Sequence, residues 1–397
     1  MKKRYIAAIM AGAAAGLAGY RTIRRKNTRK NLNNKRILIL VNHDVVIYNF
    51  RLELVERLLS DGYVVHISSP VGEHTEDLKA LGVHFHEISF DRHGMNPIDE
   101  LHILAYYKRL MKEVNPLIVF TYTVKCNVYG GMAARALHIP FCANITGLGT
   151  IVNNGGIKEG LILFLYKIGL RRAQRVFFQN DANKNFMVES RVVSSPFTVL
   201  PGSGVNLDRH SYEPYPDESD GIIISYIGRI MKDKGPDELI EAARAVKSRH
   251  QNITFRFIGF FDDDYEEVIK EAENEGIITY LSQQRDIHPW MAESHAIIMP
   301  SYHEGMSNVL LEAAATGRPV LASDIPGCRE AFDSSSGIGF RPRDSKDLVR
   351  AIEDFLSLDH NVKAELGVAG RKKMEKEFSR DIVVNHYMNE VKKAEER

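Results

Sequence analysis

Residues 297–331 read IIMPSYHEGMSNVLLEAAATGRPVLASDIPGCREA, and this stretch decides the fold. Ile297 to Met299 is a short apolar run closed by Pro300, which predicts a buried parallel strand running into a loop. The loop 301–307 is rich in turn formers. Asn308 to Thr316 then predicts a helix, with Ser307 or Asn308 as N-cap and Gly317 as terminator. Pro319 blocks continuation, and Val320 to Ala322 opens another strand. A strand, loop and helix in this order offers free backbone N–H groups near Ser307 to Val309 and the positive end of a helix dipole, which attract a phosphate. Glu304 on the loop and Glu312 one turn into the helix flank that anion site. Carboxylates accept hydrogen bonds from sugar hydroxyls and repel phosphate, so the pair points to a phosphorylated, sugar-bearing ligand. The plain alternative is a strand–helix unit with two surface glutamates.

Working outward, Ile222 to Ile227 predicts another strand, followed by Gly228-Arg-Ile-Met-Lys-Asp-Lys-Gly235 and a helix at 236–248. Gly228 permits close backbone approach, Arg229 offers a bidentate grip on phosphate oxygens, and Lys234 supplies a compact charge. Alone, this element also reads as a solvated basic turn. A strand at 253–258 and an edge segment at 283–289 complete this half; Asp262 to Asp264 read as the N-terminal acids of a helix. Upstream, strands at 36–41, 63–68, 83–88, 117–123 and 141–145 alternate with helices at 50–61, 98–114 and 125–137, and strands at 175–179 and 198–200 follow. Such alternation predicts parallel sheets whose ligands bind at the C-terminal strand edges. Tyr212 to Gly221, with two prolines and four acids, reads as a linker.

The run from Pro300 to Val320, P-S-Y-x-E-G-x-S-N-x-x-L-E-A-x-A-x-G-x-P-V, resembles the Glu-x7-Glu signature of retaining glycosyltransferases of GT-B architecture, family 4-like. The resemblance implies an α/β fold with two Rossmann-like parallel-sheet domains facing across a cleft. The expected organisation is a basic hydrophobic segment at 1–35, an acceptor-side domain at 36–205, a linker at 206–221, a nucleotide-sugar domain at 222–378 and a helix at 379–397 crossing back onto the first domain. It further implies that Arg229 and Lys234 hold the donor's diphosphate and Glu304 the donor sugar, these three being the catalytic set. Gly228, Gly305, Met306, Ser307, Asn308 and Val309 would line the donor site, Glu312 would hold the ribose, and backbone near Arg285 and Ile287 the base. Relatives that extend lipid-linked glycans share the opening Asn49-x-Arg51 and the Thr146-Gly147-Leu-Gly149 loop, which places the acceptor there. Asn49 and Arg51 read equally well as helix-start residues, and Thr146 to Gly149 as a turn. Many family members carry a His where this chain has Thr146.

Composition narrows the partners. The chain has 397 residues and a net charge of +1, but residues 1–36 hold eleven Lys and Arg and no acid. The remainder holds 41 bases against 51 acids, a net of about −10, which argues against nucleic acid. Three scattered cysteines carry no disulfide framework or metal spacing. Tyr5 to Tyr20 is an uncharged run between basic flanks; as a helix it reaches ~24 Å, short of the ~30 Å hydrocarbon core. It reads as an anchor or interfacial segment at the cytoplasmic face of the inner membrane, as a cleaved signal, or as a mobile basic tail. Residues 161–170 (LILFLYKIGL) read as a buried core helix or as one dipped into the bilayer, with 153–156 (NNGG) as a loop beside it.

The function expected is transfer of a sugar, an N-acetylhexosamine by preference, from a UDP-sugar to a polyprenyl-diphosphate-linked glycan in capsule, exopolysaccharide, O-antigen or glycoprotein-glycan assembly. No metal or other cofactor is expected, because the phosphate-binding cations are side chains. Two alternatives stand beside it. A UDP-sugar isomerase on the same fold predicts acid–base carboxylates in the first domain's loops, where only Asp44 and Asp91 occur. A catalytically silent, membrane-tethered nucleotide-sugar binder predicts damage to the donor motif, and none is present.

Overall fold

The computed structural model describes residues 34–89, 96–148 and 157–397. The N-terminal apolar run, most of the basic block behind it, Asp91, Gly149 and residues 153–156 lie outside them. Seven parallel strands form one sheet: β1 Arg36–Leu40, β2 Val64–Ser69, β3 His84–Glu87, β4 Ile118–Tyr122, β5 Phe141–Ile145, β6 Arg175–Phe178 and β7 Phe197–Val199. Six more form the other: β8 Ile222–Ile227, β9 Ile253–Ile258, β10 Thr279–Tyr280, β11 Ala296–Met299, β12 Val320–Ser323 and β13 Gly337–Phe340. The orders are β3-β2-β1-β4-β5-β6-β7 and β10-β9-β8-β11-β12-β13. Both follow the doubly wound pattern, so each sheet reverses direction once, between β1 and β4 and between β8 and β11. At such a reversal the flanking connections leave on opposite faces and open a crevice at the C-terminal strand edge.

Burial on both faces explains the near-continuous apolar strands. In β1, Ile37 and Ile39 point into one core with Val55, Leu58 and Phe120, while Leu38 and Leu40 point into another with Tyr107, Phe141 and Tyr166. The helix Arg380–Glu395 returns to the first sheet, setting Val383, Tyr387 and Val391 beside Ile37 and Phe120. The second sheet closes around Ile224, Phe255, Ile297, Leu310, Leu321 and Phe355.

Two local expectations need correction. The helix predicted from Phe50 starts at Asp44, breaks at Arg51 (φ −141°) and resumes over Leu52–Ser60. His43 is the extended N-cap, and its side chain accepts from the Val45 N–H. The apolar 161–170 segment is not a wholly buried core helix. Within Ile157–Gly169, Tyr166 is buried, whereas Leu161 and Phe164 are 44% and 57% exposed. Its buried face meets the Cys126–Gly130 turn so tightly that a Cβ on Gly169 would lie 2.6 Å from the Val128 Cα. The acid- and proline-rich stretch before Gly221 has no regular structure, yet it is bolted to the second half. Arg318 donates to the Glu213 and Pro214 carbonyls, His295 bonds the Asp217 carbonyl at 3.0 Å, and Lys363 pairs with Glu218 at 3.1 Å. Among the described residues no helix is long and apolar enough to cross a membrane.

Candidate active site

The crevice of the second sheet is built from the loops after β8 and β11. They interlock through backbone. Gly235 sits at φ +70°, and a Cβ there would lie 2.3 Å from the Pro300 carbonyl oxygen, so only glycine fits. Tyr302 N–H donates to the Asp233 carbonyl at 2.8 Å, and its hydroxyl bonds Glu238. This seating brings Lys234 Nζ to 2.5 Å from Glu304 Oε1, which also accepts from Ser301 Oγ at 3.0 Å. Both side chains remain slightly open, 16% and 13% exposed, so the pair is not sealed in a dry core. Arg229, far more exposed, reaches Asp262 at 2.5 Å, and Lys232 N–H donates to Asp263 at 2.8 Å. The acidic run 262–264 therefore braces the 229–232 loop, while the helix behind it starts only at Glu266. Sequence reading missed that brace because the pairing crosses from one strand's loop to the next.

Asn308–Ala315 forms the predicted helix, with Ser307 at its N-cap. The Ser307 N–H, expected to be free for an anion, donates to the Gly327 carbonyl at 2.8 Å. Asn308 Oδ1, by contrast, is buried with no hydrogen-bond partner among the described residues. Met306 is buried and Val309 half-buried. Gly228 follows β8 with its carbonyl so close to Gly259 that a Cβ on the latter would lie 1.8 Å away. Arg285 is exposed and Ile287 half-buried, in the segment leading to the helix His288–Glu293. Glu312 lies at the seam between the two halves, 3.8 Å from His210 Nε2 and near Arg380 and Arg209. Burial lifts its carboxyl to about 7 despite the two arginines, and burial also drives the His210 imidazole down to about 3. His210 Nδ1 too is buried without a partner among the described residues. No motif marked His210.

The first sheet presents its C-terminal edge to these loops. The Gly305 carbonyl accepts from Asn180 Nδ2 at 2.5 Å, and a Cβ on Gly305 would lie 2.0 Å from the Thr146 carbonyl oxygen. A Cβ on Gly202 would strike Met306. Thr146, Asn180 and Gly202 follow β5, β6 and β7, so three consecutive strand ends bear on the two residues after Glu304. Asn180, fixed as the N-cap of Asp181–Glu189, carried no signal in the sequence. Thr146 and Gly147 thus reach Gly305 in the 301–307 loop. Asn49 falls in the last turn of Asp44–Phe50, its carbonyl 3.4 Å from Arg380 Nη1. Arg51 is buried: its Nε donates to Tyr387 Oη at 3.2 Å and its Nη1 to the Phe50 carbonyl at 2.6 Å. The Tyr387 hydroxyl donates in turn to Asn144 Oδ1. Arg51 therefore connects to the C-terminal end of β5 through Tyr387 and Asn144. All three cysteines are buried and free, and burial holds the Cys328 thiol well above its ordinary range. Among the described residues no group of three His, Cys, Asp or Glu is placed to hold a metal.

Known proteins resemble this chain in sequence and in fold. Residues 36–180 match the glycosyl transferase 4-like family, and residues 221–358 match glycosyl transferases group 1. The chain is 28% identical over 340 residues to the N,N'-diacetylbacillosaminyl-diphospho-undecaprenol alpha-1,3-N-acetylgalactosaminyltransferase of Campylobacter jejuni, covering 81% of this chain and 89% of that protein. It is 23% identical over 371 residues to the capsular polysaccharide biosynthesis glycosyltransferase CapM of Staphylococcus aureus, covering 89% and 95%. A Rickettsia africae glycosyltransferase superposes with a TM-score of 0.75 at 19% identity, covering 91% of this chain and 99% of that one. Anabaena HepE, solved with UDP and glucose, gives 0.74 at 16% identity, covering 91% and 100%. One matched family falls on each sheet, and the chain belongs to the glycosyltransferases of GT-B architecture, a 4-like half followed by a group 1 half.

Proposed function

We propose that this glycosyltransferase works with retention, moving an N-acetylhexosamine from a UDP-sugar to a polyprenyl-diphosphate-linked glycan at the cytoplasmic face of the membrane. The observation that carries the reading is the Lys234–Glu304 pair, set beside Arg229 at the strand reversal of the second sheet. In this reading Lys234 and Arg229 turn from Glu304 and Asp262 to the donor diphosphate and neutralise the charge that grows as it leaves. Fixed charges aimed at the developing anion give the largest electrostatic gain. Glu304, released from Lys234, accepts hydrogen bonds from the donor sugar's hydroxyls. Glu312 holds the ribose hydroxyls, and backbone near Arg285 and Ile287 the base. Gly228 and the 305–309 loop complete the donor side. Thr146, Gly147 and Asn49 line the acceptor side, with Arg51 acting through Tyr387. The cations are side chains, so the reaction as drawn uses no metal.

The activity that names the Campylobacter relative supports both the hexosamine and the undecaprenyl-linked acceptor. The exposed Leu161 and Phe164, with Lys167, Arg171 and Arg172 behind them, supply an apolar ridge with cations beside it, suited to an anionic leaflet. The isomerase reading fares worse, because the Asp44 carboxylate is buried and engaged by Val45, His74 and Thr75.

Membranes containing the protein, incubated with a panel of UDP-sugars with and without polyprenyl-diphosphate-linked sugar, test the proposal. Acceptor-dependent UDP release, abolished in Arg229→Ala and Glu304→Ala, is the expected result. Conversion of a UDP-sugar without acceptor would favour the isomerase, and consumption of a GDP-sugar alone would replace the donor.

A further inference from the structure

Among the described residues, one other lysine–carboxylate pair is as enclosed on both sides as Lys234–Glu304. It joins Lys125 Nζ to Glu100 Oε1 at 2.7 Å, with each side chain 14% exposed. The two pairs occupy matching places. Lys234 follows β8 at the reversal of the second sheet, and Lys125 follows β4 at the reversal of the first. Glu100 lies in the first turn of the helix Pro97–Val114, and its Oε2 is buried with no hydrogen-bond partner among the described residues. Withdrawing two charges from water costs about as much as their attraction returns, so a pair this enclosed adds little as a brace.

The chain fixes Lys125 firmly. Thr123 takes φ +67°, a left-handed conformation that a β-branched residue rarely adopts, and turns the chain from β4 directly into the helix 124–136. The Asn127 N–H donates to the Thr123 carbonyl at 2.9 Å. Asn127 Oδ1 accepts from Thr121 Oγ1 at 2.7 Å, its Nδ2 donates to the Asn144 carbonyl at 2.8 Å, and Asn144 Nδ2 donates to the Thr121 carbonyl at 3.0 Å. Lys125 therefore stands on a corner tied to the ends of both β4 and β5. Thr146, just past β5, abuts Gly305. Adjacent strands stand ~4.8 Å apart, so a sugar lodged beside Gly305 has its anomeric substituent within reach of a lysine one strand over.

The helices on either side are apolar where they meet solvent near this corner. Ile98 and Leu101, early in Pro97–Val114, are 63% and 65% exposed. Val124 is exposed beside Lys125, and Leu161 and Phe164 are exposed on the helix Ile157–Gly169, which packs on the Cys126–Gly130 turn. A cation flanked by exposed apolar side chains matches a ligand with an anionic head and a hydrocarbon tail.

We infer that Lys125 turns from Glu100 to the diphosphate of the lipid-linked acceptor, the lipid leaving over the exposed apolar side chains of the flanking helices. This inference rests on the glycosyltransferase reading and adds to it the group that holds the acceptor's head.

Calorimetry with geranyl diphosphate, a short prenyl diphosphate, tests it on protein kept in excess UDP so that the donor site is filled. The wild type should bind it more tightly than geraniol. Lys125→Met, which keeps the apolar stem, should weaken binding roughly 10- to 100-fold, the cost of a hydrogen bond between charged groups. Glu100→Gln should bind as tightly as the wild type or a few-fold tighter, because the carboxylate competes with the ligand for Lys125. Weaker binding in Glu100→Gln marks the pair as a brace and overturns the inference, and this holds even if Lys125→Met fails to fold. Geraniol bound as tightly as the diphosphate overturns it too, as does a loss below about threefold in Lys125→Met. In the transfer assay, Lys125→Met should raise the KM for the polyprenyl-diphosphate acceptor about tenfold more than the KM for an octyl glycoside of the same sugar. An equal rise for both overturns the assignment. If the wild type transfers to neither acceptor, the proposed function fails, and the geranyl diphosphate titration still decides the role of Lys125.

Discussion

The two sheets share one strand order yet assemble their ligand edges in different ways. In the second half, the polar groups come from two short motifs, 228–235 and 300–312, locked together by backbone contacts such as Tyr302 to Asp233. In the first half, the edge is held by side chains from far along the chain: Arg51 and Asn144 both bond Tyr387, and Arg380 pairs with Glu53 at 2.8 Å. In the proposed reading the difference follows from what each edge would hold. A diphosphate would need cations at fixed spacing, which one loop and the turn beside it can supply. An acceptor would need shape, and at that edge the returning C-terminal helix provides the rigidity. Substitutions in the second half should therefore appear as lost activity, and those in the first as lost stability.

Lys234→Ala is the strongest way to break that comparison. It removes a cation proposed to meet the leaving diphosphate and should lower kcat by roughly 10²- to 10³-fold, the usual cost of one preorganised electrostatic contact. Glu304→Gln should show a loss of similar size. Steady-state kinetics with whichever UDP-sugar the wild type uses gives the answer. A loss under about tenfold in both variants would mean that the pair is only a structural ion bridge.

Glu312 sits on the seam and sharpens the contrast, because its effect depends on pH. Burial raises its carboxyl to about 7 from an ordinary value of 4.5. Between those two values the folded protein holds a proton that the unfolded chain has released. Stability therefore falls as pH rises through the window, and the penalty is constant above it. At about 1.4 kcal/mol per pKa unit the full penalty is up to about 3 kcal/mol. Glu312→Gln should unfold like the wild type at pH 4 and be distinctly more stable at pH 8, both without ligand. Thermal melts at the two values test this, and an equal gap at both would remove burial of charge as the cause. The ribose proposed to bind there would lose an acceptor, so the more stable variant should bind UDP less tightly.

How much of this was legible in the sequence tracks the same division. The second half reads directly because strand, loop and helix follow one another, so Gly228 to Gly235 and Pro300 to Gly317 declare both fold and site in a single pass. The strand alternation of the first half was equally plain. Its edge was not, since Arg51 looks like a helix-start residue until Tyr387, 336 positions later, is folded onto it. Asn180 and His210 escaped notice for the same reason: their partners Gly305 and Glu312 lie more than a hundred residues away. Asp44 escaped differently. It stood in the sequence only as one of two loop acids open to an isomerase, and only the 72–75 turn that wraps it shows it buried. The doubled bases at Arg171-Arg172 and the apolar 161–170 run could be seen, but which face of that helix is open depended on the glycine contact with Val128.

Tyr387→Phe is the mildest test and the most discriminating. The phenol accepts from Arg51 Nε at 3.2 Å and donates to Asn144 Oδ1, and burial raises its pKa, so it stays protonated as a donor. Removing only the hydroxyl keeps the ring packed against Phe120 and Phe177 and leaves two buried polar groups short of a partner. Such a loss costs about 1–2 kcal/mol, which urea denaturation resolves as a lower midpoint with unchanged slope. Asn144 lies two residues before Thr146, whose carbonyl abuts Gly305, so a loosened Asn144 reaches the acceptor edge first. The acceptor KM should rise a few-fold while UDP affinity holds. Should UDP affinity fall as far as acceptor affinity, the Thr146–Gly305 contact transmits strain into the donor loop, and the two edges work as one element.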